Sequence, residues 1–162
     1  MGNAVIVLAG GLSRRFGQDK CLKVLGGKPL VFHVLDRVSS VADERLIVVG
    51  SEVQRDAFSR FSGLRANVVV DKYGDHSPLV GALTGFETVR ADRALLLPCD
   101  AAFVVPEIAA LLLDLCVGRG AVVPRWPNGY VEPLQGHDDF LMSLALVVEA
   151  GNQYEPREAR GR

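Results

Sequence analysis

Residues 8–20 read Leu8-Ala9-Gly10-Gly11-Leu12-Ser13-Arg14-Arg15-Phe16-Gly17-Gln18-Asp19-Lys20. Two adjacent glycines let backbone N–H groups approach a ligand closely, because no Cβ intervenes. Ser13, Arg14, Arg15 and Lys20 then add four hydroxyl or cationic donors within one short segment. Donors of this kind beside backbone amides can hold a polyphosphate. Two familiar phosphate-loop spacings are absent: there is no G-x-G-x-x-G, and Gly27-Lys28 is followed by Pro29 instead of a hydroxyl residue. A lone Gly-Gly pair marks an ordinary turn more often than a site. The Arg-Arg and Asp-Lys that follow reverse that reading.

Two aspartates supply the complementary chemistry. Asp71 follows Val68-Val69-Val70, and Asp100 closes Leu97-Pro98-Cys99-Asp100. A hard cation such as Mg²⁺ takes oxygen ligands, commonly one or two protein carboxylates completed by substrate phosphate oxygens. Taken singly, each aspartate also fits a helix cap or a turn former. Cys99 reads as a packed strand-end thiol, since no Cys/His pairing is visible. His33 falls in an expected helix, and His76 and His137 in loops, so structural or solvent-exposed roles suit all three. Tyr130 to Leu134 reads as a short strand carrying Glu132, and Trp126 as a packing residue.

Something must bring these loops together. Short apolar runs at residues 4–9, 45–50, 66–71, 93–98 and 120–124 have the character of strands buried on both faces. Between them lie helical patterns. One starts at Pro29 and reaches about Val41, with Leu30, Val31, Val34, Leu35 and Val38 on one face. Others cover 52–62 (Val53, Ala57, Phe58 and Phe61 on one face), 79–91, 106–117 (carrying Ile108, Leu111, Leu112 and Leu115) and 138–150. Alternating strands and helices imply an α/β sheet with right-handed crossovers. Ligands of such sheets sit beyond the carboxyl ends of the strands, which directs attention to the loops after residues 9, 50, 71 and 98. One domain over residues 1–153, with a loose charged tail at 154–162, is the expected organisation.

Composition narrows the classes. The 162 residues carry 18 Lys+Arg and 19 Asp+Glu, a formal net charge of −1. That balance argues against a broad basic face for nucleic acid. No apolar run approaches the roughly 20 residues of a membrane span, and no secretory signal is visible. Cys21, Cys99 and Cys116 are odd in number and scattered, which fits a reducing cytoplasm better than a disulfide framework.

The string from Leu8 to Lys20 closely resembles L-A-G-G-x-S-x-R-M-G-x-D-K, the signature loop of the nucleotidyltransferases typified by molybdenum cofactor guanylyltransferase, with Phe16 in place of Met. Leu25-Gly26-Gly27-Lys28-Pro29-Leu30 is similar to that family's next segment. Asp71, then Pro78-Leu79-Val80-Gly81, then Pro98-Cys99-Asp100 follow its later motifs in order. The resemblance implies a three-layer α/β/α Rossmann-like nucleotidyltransferase fold with a mostly parallel sheet. It also implies transfer of GMP from GTP to molybdopterin, with release of pyrophosphate and dependence on Mg²⁺. In that reading Leu8, Ala9, Gly10, Gly11, Ser13, Arg14 and Lys20 bind the nucleotide, the loop wrapping its phosphates. Asp71 contacts the nucleoside, Pro78, Leu79 and Gly81 shape the base pocket, and Asp100 binds nucleotide and holds the metal. Lys20, Arg15 and Asp100 are the residues expected to carry catalysis.

An acceptor phosphate monoester is already largely dianionic near neutral pH. It needs no protein base, which accords with the lack of a histidine near any motif. Departures from the family pattern also matter. Ala101-Ala102-Phe103 lacks the proline usual after the aspartate, Ser51 stands near an expected asparagine, and the family's N-x-N-T-P-x-D-L segment has no counterpart. Other bases and acceptors (CTP with molybdopterin, a cobinamide phosphate, a sugar phosphate) therefore stay open, as does a nucleotide-binding module without catalysis. The implied partners are GTP and a phosphorylated acceptor, with no nucleic acid or membrane, in the cytoplasm; oligomeric state is unspecified.

Overall fold

The computed structural model describes residues 2–10, 20–73 and 77–124, together with the backbone of residues 146–149. Strand β1 (Asn3–Leu8) is followed by a 3₁₀ turn at Lys20–Leu22 and a hairpin of β2 (Val24–Leu25) and β3 (Lys28–Pro29). The two residues between them, Gly26 and Gly27, both have positive φ (56° and 82°), as a tight hairpin of right-handed twist requires. Then come α1 (Leu30–Arg37), β4 (Glu44–Val49), α2 (Glu52–Phe58), β5 (Asn67–Val70), α3 (Pro78–Thr88), β6 (Arg93–Pro98), α4 (Pro106–Leu115), β7 (Ala121–Val122) and β8 (Leu146–Glu149).

The main sheet runs β5-β4-β1-β6-β8-β7. The block β5, β4, β1, β6 is parallel, and β8 is antiparallel to both its neighbours. Val7 pairs with Ile47 on one side and Leu97 on the other, so the centre of the sheet is apolar on every strand. Both faces are covered. Val5, Val7, Ile47, Val49, Leu95 and Leu97 pack with Val31, Val34 and Leu35 of α1, Phe58 of α2, and Ala109, Leu112 and Leu113 of α4. Ala4, Ile6, Leu46, Val48 and Leu96 face Ala82 of α3. The result is an α/β sheet, as the alternation of runs implies, in the three-layer α/β/α, mostly parallel form that the family resemblance implies. Burying each of these aliphatic side chains contributes roughly 1.5–3 kcal/mol before conformational entropy is subtracted.

Helix α3 lies unusually close to β1. A Cβ built on Gly85 would meet Ile6 Cγ2 at 2.6 Å, and one on Gly81 would meet Leu8 Cδ2 at 3.3 Å. The helix starts cleanly because Ser77 accepts a bond from the Val80 amide (3.3 Å) and Pro78 occupies the first turn, where its missing N–H is no loss.

The parallel ladder continues one residue past β1, β5 and β6. Ala9 N donates to Val48 O (2.7 Å), Asp71 N to Val49 O (2.8 Å) and Cys99 N to Leu8 O (3.1 Å). The loops after β1, β5 and β6 thus leave the sheet at one common edge.

Several expectations need correction. Pro29 is the residue before α1, and that helix ends at Arg37, well short of Val41. Val53, expected on one face of α2 with Phe58, is 79% exposed while Phe58 is buried. On α4 the inward residues are Ala109, Leu112 and Leu113, while Ile108, Leu111 and Leu115 face outward. Every third or fourth residue of that helix is apolar on two faces, and contact with the sheet selects one. The helix expected over 138–150 is, at its end, the strand β8, whose Val147 and Val148 pair with β6 and β7. A short apolar run is compatible with either element, and here the free edge of β6 captures it. Cys21 and Cys99 are joined as a disulfide with Cα atoms 5.4 Å apart, contrary to the reading of three unpaired thiols. No helix among the described residues is long and apolar enough to cross a membrane. The strand expected at 130–134, the tail from 154, and Trp126, Glu132, His76 and His137 lie outside the described residues.

Candidate functional site

The common edge of the sheet holds a cavity of about 160 Å³. Its walls come from the end of β1 (Leu8, Gly10), the end of β4 (Val48, Val49, Gly50), Asp71, the start of α3 (Ser77, Pro78, Gly81) and Pro98. This is where an open α/β sheet is expected to bind a ligand. Leu8, Gly10, Asp71, Pro78 and Gly81, all singled out in the sequence, line it. Leu79 does not, and its side chain is 72% exposed.

Close backbone contact forms one wall. A Cβ on Gly50 would stand 2.9 Å from Gly10 O, and one on Gly10 would stand 3.1 Å from Gly50 N. Backbone proximity therefore requires glycine at position 50 and leaves little room for a side chain at position 10. Gln54, one turn into α2, fastens this wall. Its Oε1 accepts from Gly50 N (2.8 Å) and its Nε2 donates to Ala9 O (3.5 Å). Ser51 caps α2 by accepting from Gln54 N (3.2 Å), which sets the helix, and Gln54 with it, at that spot. Gln54 was not singled out in the sequence. An amide one turn after a strand-end glycine is the signal that marks it.

Asp71 belongs to a second cluster. Its Oδ1 accepts from the Thr84 hydroxyl (2.7 Å) and from Tyr73 N (3.1 Å). The aspartate does form a local turn, as the sequence allowed, but it caps no helix; that part falls to Ser77. Glu87, one turn beyond Thr84, accepts from Lys72 Nζ (3.0 Å) and from the Tyr73 hydroxyl (2.8 Å). The bond from Tyr73, then that from Lys72, holds the Glu87 carboxyl below the usual carboxylate range. Donation to Glu87, followed by desolvation, pushes the Tyr73 phenol up.

Lys20 and Asp100 meet directly: Nζ to Oδ2 is 2.5 Å, with the two side chains 47% and 38% exposed. Asp100 is not a helix cap either, since the residue before α4 is Val105 and no side chain caps that helix. Behind the pair, the Cys21–Cys99 disulfide ties the turn carrying Lys20 to the loop carrying Asp100. Pro98, two residues before Asp100, lines the cavity. Among the described residues no group of three or more His, Cys, Asp or Glu gathers at a metal-binding distance. The Asp100 carboxylate alone still fits a Mg²⁺-type ion: it is a hard oxygen donor, partly open to solvent, beside a phosphate-binding candidate that would complete the shell. Gly11, Ser13, Arg14 and Arg15 lie outside the described residues.

The chain is similar to proteins of known family. Residues 5–159 match the family described as the MobA-like NTP transferase domain. A probable molybdenum cofactor guanylyltransferase from Pyrococcus furiosus is 34% identical over 147 residues, spanning 88% of this chain and 70% of the relative. Another from Thermococcus gammatolerans is 34% identical over 152 residues, spanning 90% and 75%. The crystal structure of molybdopterin-guanine dinucleotide biosynthesis protein A from Archaeoglobus fulgidus superposes with a TM-score of 0.67 at 26% identity, covering 90% of this chain and 67% of that one.

Proposed function

Because the chain belongs to the MobA-like NTP transferase family and is a nucleotidyltransferase, we propose that it moves GMP from GTP to molybdopterin with Mg²⁺ and release of pyrophosphate. The observation that carries this reading is the contact of Lys20 with Asp100 at the carboxyl edge of the sheet, beside a cavity bearing Asp71.

The reaction needs two anions brought together and little proton transfer. A phosphate oxygen of the acceptor attacks the α-phosphorus of GTP. A new P–O bond forms, the bond from the α-phosphorus to the bridging oxygen breaks, and pyrophosphate leaves with that electron pair. Lys20 grips the triphosphate, and Arg14 and Arg15 add positive charge as the leaving group departs. Asp71 accepts a bond from the nucleoside. Gly10 and Gly50 let the two strand ends that form the cavity wall lie close together. Asp100 is the residue that would hold Mg²⁺, which when bound neutralises phosphate charge and orients the leaving group. Positioning of both substrates by one rigid edge supplies much of the remaining acceleration.

The test is pyrophosphate release with GTP, Mg²⁺ and molybdopterin, alongside titration with GTP, CTP, ATP and UTP. Tightest binding of GTP and stoichiometric pyrophosphate are expected. Preference for CTP, or binding of GTP without release of pyrophosphate, would overturn the assignment.

A further inference from the structure

Thr84 is fully buried, and its hydroxyl is engaged on both sides: it donates to Asp71 Oδ1 at 2.7 Å and accepts from Lys72 N at 3.2 Å. A threonine within a helix ordinarily turns its hydroxyl back to the carbonyl one turn earlier. Here the hydroxyl instead leaves its own helix and holds a residue at a strand end. That reach exists because Gly81 and Gly85, beside it on α3, let the helix settle onto Leu8 and Ile6.

The consequence for Asp71 is an asymmetric carboxylate. Oδ1 already receives two donors, Thr84 Oγ1 and Tyr73 N. Oδ2 accepts no hydrogen bond from the described residues and lies 3.9 Å from where a Cβ on Gly81 would stand, at the cavity wall. An ionised carboxylate only accepts. With one oxygen satisfied, it offers the cavity a single oriented acceptor.

We propose that Thr84 is a positioning residue for nucleotide recognition: its buried hydroxyl fixes the Asp71 carboxylate so that Oδ2 alone faces the cavity and receives one N–H or O–H donor of the nucleoside. This rests on the nucleotide-binding reading above and adds to it how the contact is aimed. Groups that present only an acceptor at that point are disfavoured by the same geometry. Glu87, on the next turn of α3, holds the same segment through Lys72 and Tyr73, but all three side chains are exposed. The buried hydroxyl is the part of the clamp that solvent cannot replace.

The test uses the full chain and GTP–Mg²⁺, read by calorimetric titration and by initial rates. Thr84→Val keeps shape and removes the hydroxyl. It is expected to raise Kd and KM about tenfold or more, the usual worth of a bond to a charged group, with kcat at saturation changed about twofold at most. Thr84→Ser restores affinity to within about threefold. In an Asp71→Asn background, Thr84→Val adds little, because both changes remove one interaction. Wild-type affinity in Thr84→Val, full additivity with Asp71→Asn, or a Ser variant as weak as the Val variant would each overturn the proposal. So would failure of both Thr84→Val and Thr84→Ala to fold while Thr84→Ser folds, since the hydroxyl's part would then be structural. Wild-type protein that takes up no nucleoside triphosphate overturns the underlying reading instead.

Discussion

Lys20 and Asp100, 80 residues apart in the chain, touch at 2.5 Å at the edge of the sheet while both remain partly exposed. Exposed ion pairs contribute only about 0–1 kcal/mol to stability. A contact so weak as a brace is better placed as chemistry. Asp100→Ala is therefore expected to lower pyrophosphate release at least about a hundredfold while leaving the thermal midpoint within a few degrees of wild type. Near-normal turnover in that variant would remove Asp100 from the mechanism.

Lys20→Ala separates binding from metal support. Loss of a charge-assisted contact to phosphate is worth about 1.5–3 kcal/mol, so Kd for GTP rises roughly ten- to hundredfold. Titration of GMP, which lacks the two outer phosphates, provides the control: its affinity changes far less. Equal weakening for GTP and GMP would place Lys20 away from the triphosphate.

Gly50→Ala tests the wall of the cavity. The added Cβ would meet Gly10 O at 2.9 Å, and neither partner is a flexible side-chain end. The strand ends must part, at a cost of about 1–3 kcal/mol in denaturant unfolding, and GTP affinity falls with them. A variant of wild-type stability and affinity would show that the two strand ends yield freely.

The Tyr73–Glu87 bond has a pH signature. Glu87 is held below the usual carboxylate range, so its stabilisation is fully present above the unfolded glutamate value and is lost as pH falls through the lower folded one. Tyr73 is pushed up, so its contribution is fully present below the unfolded phenol value and is lost as pH rises through the higher folded one. In an ultraviolet titration of the chain's three tyrosines, one should ionise above the ordinary range. Tyr73→Phe should delete that step, and Glu87→Gln should move it back toward the ordinary value.

The Cys21–Cys99 bond predicts a thiol count. In denaturant, the unreduced chain should react as one thiol, Cys116, and the reduced chain as three. Cross-linking residues separated by 78 positions restricts the unfolded chain by about 4.5 kcal/mol on the entropic account. Cys21→Ser should lower the unfolding midpoint accordingly in the absence of reductant.

The parallel block was legible because strands covered on both faces must be apolar throughout, as in Val5-Ile6-Val7 and Leu95-Leu96-Leu97. Which face a helix turns inward was less so. α4 is apolar nearly all round, and only the sheet decides that Leu113 is buried and Leu111 is not. Asp71 and Asp100 could be named from type and position, but Thr84 and Gln54 could not, because their importance lies in what they touch across the fold. The disulfide was missed by counting cysteines. Its cue was adjacency: Cys21 follows Lys20 and Cys99 precedes Asp100, so bringing one pair together brings the other.

The fit of Gly85 against Ile6 ties two distant positions to a shared fate. A methyl at 85 would lift α3 and carry Thr84 away from Asp71, whereas the same methyl beside a trimmed residue at position 6 has room. Single replacements at either site are thus handicapped, and the pair is free to drift only in concert.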